Sequence, residues 1–444
     1  MKVVQKIVLT ISCLLISTLS VWSQSWKPLG SGVNWQVRDL YADTVDNILY
    51  VGGGFTIAGG IATQRIARWT CDGWDTLGAG LSASNVLEII RYNGSIYAGG
   101  SMQFIGTTPG NGAARWNGTG WESVGLTNGT IWGYLVDDNK LYAMGNFDSI
   151  AGMPASKIAV WNDTVWSTFP VLDNNFGGWA IGDGEFYQGQ LHVGGNFPGP
   201  SGQNKSDIAI WDGAQWISWG GGLTGLNTVV DAIEIYNNEI YIGGYFLESD
   251  GDPGNHIARW DGSQWDNVGG GMDAQVFDMV VYNNELYVAG AFSDAGGVPV
   301  NRLAKWNGTQ WSDPGAVFDN GITSLAVLNG DLYAGGGFWT VDGDSMSMIA
   351  WYSSDTCETT SIESFEGVVG ILNMFPNPVS DRITIQTNLP QGDTRVTVYN
   401  ILGEQVYEGE LTQEQIGLTY LPSGVYMLHV TYEKTILRKK VIKL

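Results

Sequence analysis

Histidine and cysteine are scarce in this 444-residue chain, with three of each. That leaves few side chains for transition-metal or thiol chemistry. There is no His-Glu-x-x-His, no Gly-x-Ser-x-Gly and no phosphate-binding Walker loop. Basic residues are few as well: 21 Lys and Arg stand against 44 Asp and Glu, a formal charge of −23. Residues 24–362 hold 12 of the basic and 35 of the acidic residues, so the acidity sits in the body of the chain. Such a body argues against recognition of nucleic acid or anionic membrane by charge. Long apolar runs are missing too. Residues 7–21, behind Lys2 and Lys6, are too short to span a bilayer and read as a secretory signal over 1–23, cleaved between Ser23 and Gln24. A lipoprotein signal ending at Cys13 is disfavoured, because the apolar run continues through Leu14, Leu15 and Ile16. No later stretch predicts a transmembrane segment. What is abundant is glycine (63) and tryptophan (20), a mixture suited to many short strands joined by tight turns.

These residues recur with a period. An aromatic slot at Tyr50 returns at Tyr97, Tyr142, His192, Tyr241, Tyr287 and Tyr333, in steps of 47, 45, 50, 49, 46 and 46. Three residues after each lies a glycine in all seven copies, from Gly53 to Gly336. Five residues on lies Phe or Met, and nineteen on lies Trp69, Trp116, Trp161, Trp211, Trp260, Trp306 or Tyr352. Each copy reads as four strands, with hairpin turns such as Asn93-Gly94 and Asn283-Asn284 between the first two. Four strands in about 45 residues form a unit that buries its faces only by stacking on like units, which predicts an all-β, seven-bladed β-propeller over 24–352. The last copy lacks a fourth strand, and Trp26-Lys-Pro-Leu29-Gly30 supplies an orphan one, so the N-terminal strand at Trp26 is expected to close the ring.

The repeat resembles kelch and galactose-oxidase-like propellers, and more closely the repeat of secreted and cell-polarity-marker proteins, in which Gly-Gly-x-Phe precedes Ile-Ala-Arg-Trp-Asp-Gly-x-x-Trp. Copper chemistry of the galactose-oxidase kind would need histidine ligands that the repeat does not offer. A polar linker over 353–370 leads to 371–444, where strand-like runs suggest a small Ig-like β-sandwich. This segment resembles the type A sorting domain of the type IX secretion system. The matching residues are Pro376, Asn377 and Pro378 after Phe375, Gly403 in Tyr399-Asn-Ile-Leu-Gly403, Gly424 and Tyr426 in Leu421-Pro-Ser-Gly-Val-Tyr426, and Lys440 and Lys443 at the end. The resemblance implies passage across an outer membrane, with the type IX machinery as partner, and a secreted or surface location.

Candidate sites are sparse. Asp250, Asp252 and Asn255, on a glycine-bent loop, are candidate oxygen ligands for Ca²⁺, although their spacing matches no complete calcium loop and a solvated acidic turn is the alternative. Asp342-Gly-Asp344 is a thinner echo. No other cofactor is expected. Cys71 and Cys357 are a candidate disulfide across the seam, provided their Cα atoms approach within about 7 Å. Asn-x-Thr triplets such as 117–119 fall on hairpin turns, so turn geometry is the preferred reading. Strand direction gathers the loops that vary in length on one face, where Phe176, Trp179 and Trp339 are candidate ligand contacts. These features suggest an exported, non-catalytic binding or adhesion module for glycan or protein. The alternatives are a polysaccharide-active lyase or hydrolase using propeller-face carboxylates, and a structural repeat protein without a dedicated ligand.

Overall fold

The computed structural model describes residues 25–105, 107–170, 180–198, 206–224, 228–249, 254–353, 372–375, 379, 381–387, 389, 394–400, 405–411, 415–422, 424–432 and 435–443. The described residues form strands and turns, with no helix among them. Ser23 and Gln24, flanking the expected cleavage point, lie outside them. The chain divides into two compact units, 1–356 and 357–444.

In the first unit, seven sheets share one antiparallel four-strand plan. Their inner strands are Val37–Asp43, Ser82–Tyr92, Ile131–Asp137, Ala180–Tyr187, Val229–Tyr236, Val276–Tyr282 and Ile322–Leu328. Each inner strand packs on that of the next sheet, and the seventh packs on the first. The hairpin residues Asn93, Gly94, Asn237, Asn238, Asn283, Asn284, Asn329 and Gly330 all have φ between 47° and 82°, as type I′ turns require. The outer strand of the seventh sheet is Ser25–Pro28, which pairs with Ile349–Ser353 and sets Trp26 opposite Tyr352.

Close approach explains the glycines. A Cβ on Gly53, Gly100, Gly145, Gly195, Gly244, Gly290 or Gly336 would collide with a main-chain carbonyl of the adjoining inner strand, so no other residue fits any copy. The preceding position is looser. There a Cβ on Gly52, Gly99 or Gly243 would press on Val86, Ile131 or Val276 of the next sheet. The third sheet carries Met144 at this position, and the fourth answers with Gly184, where a Cβ would lie 2.9 Å from the Met144 Sδ.

The tryptophans join neighbouring sheets at their outer strands. Indole Nε1 of Trp74, Trp121, Trp166, Trp216, Trp265 and Trp311 donates to the carbonyls of Leu29, Leu77, Val124, Pro170, Trp219 and Val268, each in the preceding sheet, at 2.8–3.4 Å. The first of these bonds ties the first sheet to the N-terminal strand. Each such indole also packs on the ring opposite it, as Trp26 does on Tyr352 with centroids 5.4 Å apart.

A second set of bonds joins the sheets at their inner strands. Every inner strand carries a β-bulge at the equivalent position, so that Asp39, Glu88, Gly133, Asp183, Ala232, Asp278 and Ser324 follow a register shift; Ser82–Tyr92 has two further shifts nearer its start. The next amide along each strand lies on the unpaired inner edge and needs an acceptor. In five sheets the preceding sheet supplies it. Leu40 donates to Ser324 Oγ (3.0 Å), Ile89 to Asp39 (2.6 Å), Ile233 to Asp183 (2.7 Å) and Leu325 to Asp278 (2.6 Å). Tyr134 donates to Glu88. Gly133 and Ala232 offer no acceptor, and the amides they leave over, Gly184 and Met279, bond to their own neighbours Asp183 and Asp278 at 2.7 Å. All seven amides are thereby satisfied.

The second unit holds a three-stranded sheet, Leu372–Phe375 with Arg382–Thr387 and Gln415–Gly417. A four-stranded sheet orders Gln405–Glu410, Arg395–Asn400, Gly424–Tyr432 and Thr435–Lys443. Ile383, Ile385, Val396, Val398, Leu428 and Val430 fill the core between them.

Three substitutions test this account. S324A, which strands the Leu40 amide, is expected to cost about 1–3 kcal/mol in guanidinium unfolding; no change would show the inner bonds to be dispensable. G297A, at φ 88° with open space around it, is expected to cost about 1–2 kcal/mol for the left-handed backbone alone. G290A should cost distinctly more, and equal values would refute the close-approach explanation.

Candidate functional site

The inner-edge acids form one cluster. Asp39, Glu88, Asp183 and Asp278 follow the bulges, Asp231 lies on one, and Glu185 and Glu234 sit two residues further along their strands. Burial is the largest influence on each and disfavours the ionised form. It pushes Asp39 and Glu234 up to about 8, Asp183 to about 7, and Asp231 and Asp278 to about 6. Glu88 and Glu185 are raised by the same cause. Negative neighbours add to the rise: Asp39 feels Asp278, and Glu88 feels Asp39, Asp183 and Asp278. The amide donors pull in the opposite direction. All seven side chains are half-buried, so residual solvent moderates the rise. Burial thus favours the protonated form of these carboxyls relative to exposed ones, and most already serve as acceptors for the strand edge. Among the described residues no three His, Cys, Asp or Glu are placed to hold a metal ion.

The histidines have structural roles. His192 fills the aromatic slot of its copy, its ring 4.7 Å from that of Trp219, and burial lowers its pKa. The smaller imidazole faces a tryptophan where other copies have Leu77 or Val268. His256 directs Nδ1 at the Gly244 carbonyl, and His429 packs on Tyr399.

Exposed aromatic side chains are unevenly distributed. Among the described residues of the first unit they are Trp35 (62% exposed), Phe104, Trp132, Tyr245 and Trp339 (52%). All lie at the end where inner strands begin and where second strands lead into third. At the hairpin end the exposed large apolar residues are valines, Val45, Val136 and Val165. Between the first two sheets this aromatic face opens into a cavity of about 580 Å³ lined by Thr56, Gln64, Arg65, Ser82, Ser84 and Gln103 among others. A second cavity of about 370 Å³ shares Thr56, Arg65 and Ser84 with it and adds Asn34, Trp35, Gly54 and Asn85.

Trp339 lies on the face, its amide held by Asp319 at 2.8 Å. Phe176, Trp179, Asp250 and Asp252 lie outside the described residues. Asn255 uses its side-chain amide to donate to the Gly270 carbonyl at 3.3 Å. Asp342-Gly343 is the turn of a two-stranded ribbon, with Asp342 accepting from the Val317 amide at 2.9 Å. Cys71 is disulfide-bonded; Cys357 lies outside the described residues. So do Pro376, Asn377, Pro378 and Gly403. Gly424 opens a strand, and the Tyr426 hydroxyl donates to the Pro422 carbonyl at 2.9 Å. Lys440 and Lys443 lie on the last strand, in register with Met427 and Gly424. Asn117, Asn162 and Asn307 each accept from the Thr hydroxyl and amide two residues on, so their Asn-x-Thr triplets are Asx turns.

Sequence reasoning missed Trp35, Trp132, Tyr245 and the acid cluster. For the acids a signal exists: Glu88, Asp183 and Asp278 each stand nine residues before the aromatic slot. Of the exposed aromatics, Trp35 shares its position in the repeat with Trp179.

Residues 373–444 match the family described as the secretion system C-terminal sorting domain. No curated protein matches the chain. Among solved structures, the chain is similar to the extracellular domain of BT4673 from B. thetaiotaomicron, at 12% identity and a TM-score of 0.51 over 95% of this chain and 59% of that one. It is also similar to PorZ, a surface component of the type IX secretion system of Porphyromonas gingivalis, at 14% identity and a TM-score of 0.46 over 94% and 60%. The chain thus spans about three fifths of the length of these structures. The body is all-β and propeller-like, and the C-terminal unit is a type IX sorting domain that marks the protein for secretion and the cell surface.

Proposed function

We propose that the protein is a non-catalytic binding or adhesion module, a closed ring of seven kelch-like blades exported with an N-terminal signal over 1–23 and engaging a glycan or protein through its aromatic face. The observation that carries this reading is the confinement, among the described residues of the first unit, of exposed Trp, Tyr and Phe to one end of the sheets. Such side chains supply large contact area at low entropic cost and mark recognition surfaces. The raised carboxyls favour a second reading, a secreted polysaccharide-active enzyme. Their amide partners favour a role in holding the ring together.

Two measurements separate the readings. On an array of glycans and surface proteins, the full chain should retain a ligand that the triple variant W35A/W132A/W339A does not, with no reducing ends or unsaturated sugars released from polysaccharides. Product formation abolished by D183N would establish the enzyme instead.

The acids make a second prediction. Their folded-state values lie above the unfolded range, so the native state holds the extra protons and loses stability as pH rises from about 4 through about 8. The thermal midpoint should therefore be higher at pH 5 than at pH 8.5. E234Q, which keeps the acceptor for the Ile235 amide (2.9 Å), should flatten that fall more than D72N at an exposed turn. Equal slopes would show that overall charge, not the cluster, sets the dependence.

A further inference from the structure

We infer that the cleft between the first and second sheets is a binding site for a neutral oligosaccharide, with Trp35 as its stacking platform; this rests on the aromatic face being the binding surface. The repeat does not require the indole. The corresponding position, four residues before the one that follows the bulge, holds Ser84, Gly129, Thr228, Ala274 and Asn320 in five of the other copies and Trp179 in the sixth. Neither does core packing, since the side chain is mostly exposed.

The platform is nonetheless held in place. Asn34 accepts from the amides of Thr56 (2.8 Å) and Ile57 (2.9 Å) and donates to the Thr56 hydroxyl (3.0 Å). This clamp is a feature of the repeat: Asn128, Asp273 and Asp319 accept from loop amides in the same way. The indole edge rests over Gly54, where a Cβ would come within 2.7 Å of Trp35 Cδ1. An aromatic surface on a fixed backbone loses little entropy on binding.

The lining defines the ligand. Thr56, Gln64, Ser84, Asn85 and Gln103 present hydroxyls and amides, which donate and accept without net charge. The one charged side chain, Arg65, donates from Nε to the Ala83 carbonyl at 2.8 Å and from its terminal nitrogen to the Gly54 carbonyl. Two of its five N–H groups are thereby committed to main chain. A polyanion would meet this single cation and would be repelled by a body of charge −23. An apolar chain would leave the amides and hydroxyls unpaired. A pyranose chain meets both demands, with C–H faces for the indole and equatorial hydroxyls for the rim. Cavities of about 580 and 370 Å³ fall in the roughly 300–1,000 Å³ range of small-ligand sites.

The test is calorimetric titration of the full chain with gluco-, manno- and xylo-configured oligosaccharides of two to six units. At least one is expected to bind, W35A to weaken it tenfold or more, W35F to restore most of the affinity, and Q103A to weaken it severalfold. V165A, at the opposite end, should bind as the parent does, and unchanged thermal midpoints exclude misfolding. Binding lost in W339A but kept in W35A would overturn the cleft and leave the face intact. Capture of only charged glycans or proteins by the face would overturn the ligand class alone. If no ligand depends on any of these aromatics, both readings fall.

Discussion

The structure depends on satisfying one row of backbone amides. A ring of sheets leaves the inner edge of every inner strand without a neighbouring strand. The bulge in each strand then exposes one amide that no ladder bond can reach. The solution is a side chain on the adjacent sheet, so the hydrogen bond that satisfies the edge also sets the spacing between sheets. Where the adjacent residue is Gly133 or Ala232, the next strand bonds to its own aspartate instead. Acidic residues at the centre of the fold are therefore explained by geometry before any chemistry is invoked.

Neighbouring sheets are joined at two radii. At the inner edge the link is a carboxyl or hydroxyl oxygen to an amide; at the outer strand it is an indole N–H to a carbonyl. Leu29, directly after the first strand of the chain, accepts from Trp74, so an outer link also crosses the seam. The glycines permit the spacing these bonds need, and compensating pairs appear where one departs from the pattern. Met144 faces Gly184, and His192 faces Trp219. Each is a conserved volume redistributed between two positions.

With the inner-edge acids, tryptophans and histidines occupied in this way, the freedom left to the molecule lies in its loops. One end carries aromatic side chains that the repeat does not call for, while the other carries tight Asn-rich turns. Function is accordingly expected on the first, on a frame stiff enough to hold Trp35 and its neighbours in fixed positions.

Much of this was legible in order of residues alone. Offsets of three, five and nineteen mark the strands because a strand repeat places like residues in like environments. The positive-φ turns followed from Asn and Gly. In the second unit, the long strand Gly424–Tyr432 is legible from its apolar alternation, but the short strands Leu372–Phe375 and Gln415–Gly417 are not, since three or four residues carry too little alternation. The sorting motifs were legible because they are local.

What the linear order could not decide is which residues meet across sheets. Asp39 and Ile89 are 50 residues apart, and Ser324 and Leu40 are separated by 284. No local preference encodes such a bond; stacking of neighbouring sheets brings the first pair within 3 Å, and closure of the ring the second. The same holds for Trp35 and Gln103, which reach one cleft because two loops from different sheets project from the same end. The sequence by itself determined the repeating unit and its destination outside the cell, through short-range patterning and a local address. Tertiary structure decided which polar groups are spent on the frame and which remain free to bind, because that division depends on distances created when the sheets assemble.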